Sequence, residues 1–109
     1  MNCKFSQFSI FFALIMCATS TNIHAEDGKA VYEKNCKACH DSGEGGAPKF
    51  GSLEDWQDRI ETGIANLEAS AINGMQGYGG VMPPRGGNPQ LSDSDVKAAV
   101  GYILRSVKQ

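Results

Sequence analysis

Histidine and cysteine are scarce in this 109-residue chain: two His and four Cys in all, and beyond position 25 only His40, Cys36 and Cys39. A structural zinc site needs a full tetrahedral set of such ligands. The set could be completed only with Cys3, Cys17 or His24, which lie in an N-terminal segment expected to be removed. No alternating Val/Ile-rich run follows residue 25, so the βαβ frame that accompanies a thioredoxin-type cysteine pair is not expected. Blocks of like charge are also missing. From Glu26 onward nine Lys and Arg stand against twelve Asp and Glu, a formal charge of −3. Spread thinly, these charges read as solvated surface and not as a nucleic-acid footprint or an acidic docking patch. There is no internal repeat and no low-complexity tract.

The one long apolar run extends from Phe8 to Ala18, behind Lys4 and ahead of polar Thr19-Ser20-Thr21-Asn22. It falls short of the roughly 20 residues that span a membrane, and its flanks are those of a secretory signal peptide. Cleavage is expected after Ala25. Ile23 is bulky for the third position before the cut, and Ala18-Thr19-Ser20 offers a competing small-x-small site. Met16 before Cys17 disfavours lipoprotein processing, and a retained membrane anchor ranks only slightly above it. The expected organisation is therefore a signal peptide over 1–25 and one domain over 26–109. A domain of 84 residues gains only marginal stability from its apolar core.

Both remaining cysteines fall in Cys36-Lys37-Ala38-Cys39-His40, the C-x-x-C-H attachment signature of c-type haem. On a helical turn, residues three and four apart share a face, so both thiols and the imidazole point the same way. The thiols can add to the porphyrin vinyl groups as thioethers, and His40 can lie under the iron as an axial ligand. A buried haem would form much of the core, which couples attachment to folding. Export fits as well, because haem c is attached outside the bacterial cytoplasm. The occupant of the iron's sixth position decides between electron transfer and ligand chemistry. With no second histidine after Ala25, the candidates are the thioethers of Met75 and Met82. Met82 is preferred because Pro83 and Pro84 stiffen its loop; Met75, directly after a helical stretch, is expected to pack.

Three helical stretches and two glycine-rich loops are legible. The first helix is predicted from an Asp27 N-cap into the haem motif, with Gly28, Val31, Tyr32, Asn35, Cys36 and Cys39 on one face. Ser52-Leu53-Glu54-Asp55 has capping-box form, and Leu53, Trp56, Ile60, Ile64, Leu67 and Ala71 follow at helical steps, with Gly63 dividing the run. The last helix has Ser92-Asp93-Ser94-Asp95 as its cap and Val96, Ala99, Val100, Ile103, Leu104 and Val107 as its apolar stripe. Arg105 and Lys108 suit its C-terminal dipole. Ten of the thirteen glycines sit in the loops, where the backbone must turn tightly or approach something closely. Trp56 can lie against a porphyrin or simply pack, and Tyr78 and Arg85 are candidate partners of a haem propionate.

With these pieces in place, the chain resembles the class I monohaem cytochromes c, and among them the bacterial cytochrome c5 group. The resemblance runs from Gly28 to about Val107. It rests on Gly28-Lys29-Ala30-Val31-Tyr32, Gly46-Ala47-Pro48-Lys49, Ala71-Ile72-Asn73-Gly74, and above all Met82-Pro83-Pro84-Arg85-Gly86-Gly87-Asn88-Pro89 leading into Leu91-Ser92-Asp93. It implies an all-α fold, a small cytochrome c domain of three to five short helices and loops enclosing one covalently bound haem c. Cys36 and Cys39 would hold the haem, His40 and Met82 would ligate the iron, and the Pro48 carbonyl would orient His40. The first and last helices would cross through Gly28, Tyr32 and Tyr102. An extra cysteine pair found in some members is absent, and Gln76-Gly77-Tyr78-Gly79-Gly80 departs from the pattern. The implied function is a periplasmic electron carrier, not an enzyme, serving redox proteins of a respiratory chain, some of them membrane-bound. Two other readings stand beside it: a haem subunit of a larger oxidoreductase, and a peroxidase or gas sensor should the sixth site be open.

Overall fold

A computed structural model describes residues 27–77 and 80–107. The architecture is set by two helices that meet at a glycine. Helix α1 (Gly28–Asn35) starts at Asp27, whose carboxylate accepts from the Lys29 N–H. Helix α5 (Asp93–Ser106) starts at a complete capping box, in which Ser92 Oγ accepts from the Asp95 N–H and the Asp95 carboxylate accepts from the Ser92 N–H. A Cβ on Gly28 would overlap the carbonyl of Ala98, so only glycine lets the two backbones come this close. Three rings fasten the crossing, with centroids of Tyr32 and Phe50 4.9 Å apart, Tyr32 and Tyr102 5.4 Å, and Phe50 and Tyr102 5.2 Å. Gly28, Tyr32 and Tyr102 meet as the resemblance implied; Phe50 joins them from a loop.

The first predicted helix is in fact two. Cys36, at φ −118°, separates α1 from the short α2 (Lys37–His40), and the predicted face, buried at Gly28, Val31 and Tyr32, ends at an exposed Cys39. Gly63, at φ +98°, divides α3 (Leu53–Glu61) from α4 (Ile64–Asn73) as expected. Single 3-10 turns occupy Glu44–Gly46 and Pro84–Gly87. One element was not foreseen. Strands β1 (Met75–Gly77) and β2 (Gly80–Met82) pair antiparallel, with Met75 opposite Met82 and Gly77 opposite Gly80. Strands of three residues are too short to show an alternating pattern. Five helices and this one ribbon among the described residues keep the fold within the small cytochrome c class. No described helix is long and apolar enough to cross a membrane.

Candidate haem site

Helices α1, α4 and α5 wall a cavity with Val31, Ala71, Val96, Ala99, Val100 and Ile103, joined by Leu91 from the loop before α5. Cys36, His40, Met82, Arg85 and Gly86 complete the lining. Three of the four residues expected to hold haem and iron therefore converge on one apolar space. Cys39 is exposed and outside the lining, one turn along from Cys36.

His40 is buried, and its Nδ1 lies 2.8 Å from the Pro48 carbonyl. A carbonyl can only accept, so Nδ1 carries the proton and Nε2 keeps its lone pair for a metal. The strap that holds Pro48 in place is built from both sides. Phe50 N–H donates to the His40 carbonyl at 2.7 Å. Trp56 Nε1 donates to the Lys49 carbonyl, and the Lys49 N–H donates to the Asp55 carboxylate, each at 2.9 Å. The first turn of α3 thus holds Lys49 at both its backbone groups. In the capping box read over Ser52 to Asp55, Ser52 Oγ does accept from the Asp55 N–H, but the Asp55 carboxylate caps the strap instead of the helix. No sequence pattern marks that exchange. Trp56 lies 5.9 Å from the His40 ring, centroid to centroid, at 30°, and is outside the cavity lining, so it packs beneath the imidazole.

Burial, with a smaller contribution from Cys39, pushes the Cys36 thiol up to about 11. A disulfide-exchanging pair requires the opposite shift. Met82 is half-buried at the end of β2. Gly74, at φ +78°, turns the chain out of α4 and packs against the Met82 carbonyl and Pro84, where a Cβ would clash. Met75 does not pack as expected: it is 53 % exposed, because the turn at Gly74 carries it off α4 onto β1, whose three residues are all exposed. Arg85, a propionate candidate, donates to the Leu91 carbonyl at 2.9 Å and pairs with Asp93, so much of its guanidinium fork is engaged at the start of α5. Tyr78 lies outside the described residues.

The donor set suits a haem: two thiols three residues apart, an imidazole with Nε2 available, a thioether, and walls that are almost wholly aliphatic. Fold and site together define a single helical domain built around one covalently held haem. The family model described as "Cytochrome C oxidase, cbb3-type, subunit III" matches residues 24–103. Cytochrome c-555 of Chlorobaculum tepidum is 38% identical over 96 residues, covering 88% of this chain and 89% of that protein. Cytochrome c5 of Azotobacter vinelandii is 37% identical over 81 residues, covering 72% of this chain and 93% of that one. Among solved structures, the cytochrome chain in the crystal structure of an electron transfer complex of nitrite reductase with cytochrome c superposes with a TM-score of 0.68. It is 31% identical, covering 76% of this chain and 96% of that chain. The chain belongs to the class I monohaem cytochromes c, in the c5-like group, and carries one covalently bound haem c. It is accordingly an electron carrier.

Proposed function

We propose that this cytochrome is exported to the periplasm and carries single electrons between redox proteins of a respiratory chain. In this reading Cys36 and Cys39 would tether the haem, and His40 Nε2 and Met82 Sδ would hold its iron. The supporting observation is that His40 and Met82 line one aliphatic cavity while the other imidazole nitrogen is engaged by Pro48. Haem c supplies the one-electron couple when bound. The chain's own residues do the rest. Pro48 fixes the tautomer and plane of His40 and makes Nε2 a better donor. Pro83, Pro84 and the β1–β2 ribbon hold Met82 before any electron arrives, so little must move when one does. Aliphatic walls exclude water and disfavour the more highly charged state, which together with Met/His ligation raises the potential.

Redox proteins are the natural partners, since a structural relative is described in an electron transfer complex with nitrite reductase. The family model's description favours a second reading, a haem subunit of an oxidase. Against it, the chain spans 89% and 93% of two relatives named as cytochromes c-555 and c5 and not as oxidase subunits. Gel filtration of the periplasmic fraction separates the two: a free carrier elutes at the size of its own domain, a subunit with its complex.

The ligation is tested by spectra with and without carbon monoxide. Met82→Ala is expected to open the sixth site, so that ferrous protein binds carbon monoxide, the methionine-to-iron charge-transfer band vanishes and the potential falls. Met75→Leu, on an exposed strand, is expected to leave all three unchanged. The reverse pattern assigns the sulfur to Met75, and carbon monoxide binding by the unaltered protein favours the gas-sensor or peroxidase reading. Export is tested by N-terminal sequencing of periplasmic protein, expected to begin at or near Glu26; a chain starting at a lipid-modified Cys17 or retaining Met1 overturns it.

A further inference from the structure

Two asparagines join the methionine loop to the haem-attachment segment. Asn35, the last residue of α1, directly precedes Cys36. Asn88 closes the turn after Pro83 and Pro84, with its N–H on the Arg85 carbonyl at 3.1 Å and its carbonyl receiving the Leu91 N–H at 3.2 Å. Between the two half-buried side chains runs a directed relay. Gln90 N–H donates to Asn88 Oδ1 at 3.0 Å, Asn88 Nδ2 donates to Asn35 Oδ1 at 2.9 Å, and Asn35 Nδ2 donates to the Val31 carbonyl at 3.0 Å. The ends of the relay are backbone groups of fixed character, one able only to donate and the other only to accept. Both amide orientations are thereby forced, and every amide group the relay uses meets its complement. The contact is also tight: a Cβ on Gly86 would strike the Asn35 carbonyl, so the loop backbone lies directly on the last turn of α1.

We propose that the Asn35–Asn88 bridge is a positioning device for the sixth ligand: it ties the loop that carries Met82 to the residue before the first thioether, and so suppresses the opening that would lift the sulfur from the iron. The proposal rests on the reading of Met82 as ligand. It needs no change in the ligand itself. A neutral hydrogen bond of this kind shifts a local equilibrium by roughly three- to tenfold, and the fraction of open sixth site rises by the same factor when the bridge is lost. An added nitrogen ligand reports that fraction, since its apparent affinity is its intrinsic affinity multiplied by the population able to bind it.

The experiment is a cycle of four ferric holoproteins titrated with imidazole: unaltered, Asn88→Ala, Met82→Ala and the double variant. Met82→Ala is expected to bind imidazole far more tightly than the unaltered protein, and Asn88→Ala roughly three- to tenfold more tightly. In the Met82→Ala background Asn88→Ala is expected to have no effect, because no sulfur remains to be held. Asn35→Ala should match Asn88→Ala, and combining them should add nothing further. Asn88→Asp, which turns an acceptor toward Asn35 Oδ1, should exceed the alanine change. If Met82→Ala leaves imidazole affinity unchanged, the ligand reading fails and the positioning role with it. If Met82→Ala opens the site but Asn88→Ala does nothing, the ligand reading stands and the positioning role is overturned. An equal effect of Asn88→Ala in both backgrounds also overturns it, since the asparagine would then act on the pocket and not on the sulfur. Far-UV circular dichroism of each holoprotein checks that the helices are intact.

Discussion

At the centre of the α1–α5 contact a phenol is buried without a partner. Tyr32 is 3 % exposed, and its hydroxyl has no hydrogen-bond partner among the described residues. Burial, followed by Asp41, Cys36 and Tyr102, pushes its pKa up to about 12. The folded chain therefore holds this proton more tightly than the unfolded one, whose tyrosine ionises near its ordinary value of 10.0. The stability attached to the neutral phenol is full below about pH 10 and declines as the pH rises toward 12, by about 1.4 kcal/mol per pH unit. Tyr32→Phe keeps the ring against Phe50 and Tyr102. Its expected result is unchanged or slightly raised stability at neutral pH, by up to about 1 kcal/mol, and a flatter decline above pH 10. Urea midpoints of the holoprotein measured from neutral to alkaline pH check both. Gly28→Ala acts at the same crossing in the opposite sense, since its methyl meets the Ala98 carbonyl; a loss of about 1–3 kcal/mol is expected from the same measurement. Gly28, Tyr32 and Tyr102 could be picked out because family resemblance supplies their contact. Phe50 could not, because it stands in a loop where no period assigns it a face.

Elements were legible in proportion to the number of turns over which their pattern repeats. Helix α5 buries Val96, Ala99, Val100, Ile103 and Leu104, and its stripe and cap agree with each other along the whole helix. The cap can be tested by itself. Ser92→Ala removes the acceptor of the Asp95 N–H, and a loss of about 1 kcal/mol in urea unfolding is expected. The haem spectrum should not change, because Ser92 is exposed and outside the cavity. The ribbon of β1 and β2 was illegible for the converse reason. Each strand offers three residues, two of the six being glycine, and such composition reads as loop. This ribbon sets Met75 directly opposite Met82, the first exposed and the second lining the cavity. The sulfur candidates could be counted in the sequence, but their burial depends on a turn at Gly74 whose φ no composition prints.

On the scale of the whole molecule, core and site are one structure. Of the eleven hydrophobic residues buried in the core among the described residues, seven line the cavity as well: Val31, Ala71, Leu91, Val96, Ala99, Val100 and Ile103. Val31 of α1, Ala71 of α4 and Val96, Ala99, Val100 and Ile103 of α5 therefore belong to the core and to the cavity wall at once. What packs outside that wall is the ring cluster of Tyr32, Phe50 and Tyr102, with Trp56, Leu104 and Val107. That is a small share for a domain whose size already leaves its stability marginal. None of the helices around the cavity exceeds 14 residues, a length at which isolated helices are barely stable in water. Making the chain with Cys36→Ala and Cys39→Ala together removes both points of covalent attachment, and the product is expected to lose haem on acid–acetone extraction where the unaltered protein keeps it. After extraction, far-UV circular dichroism should show most of the helical signal gone, and urea should produce no cooperative transition. If the haem-free double variant instead keeps the helicity of the holoprotein and unfolds cooperatively, the helices pack on each other without the cofactor, and the seven shared residues do not depend on it.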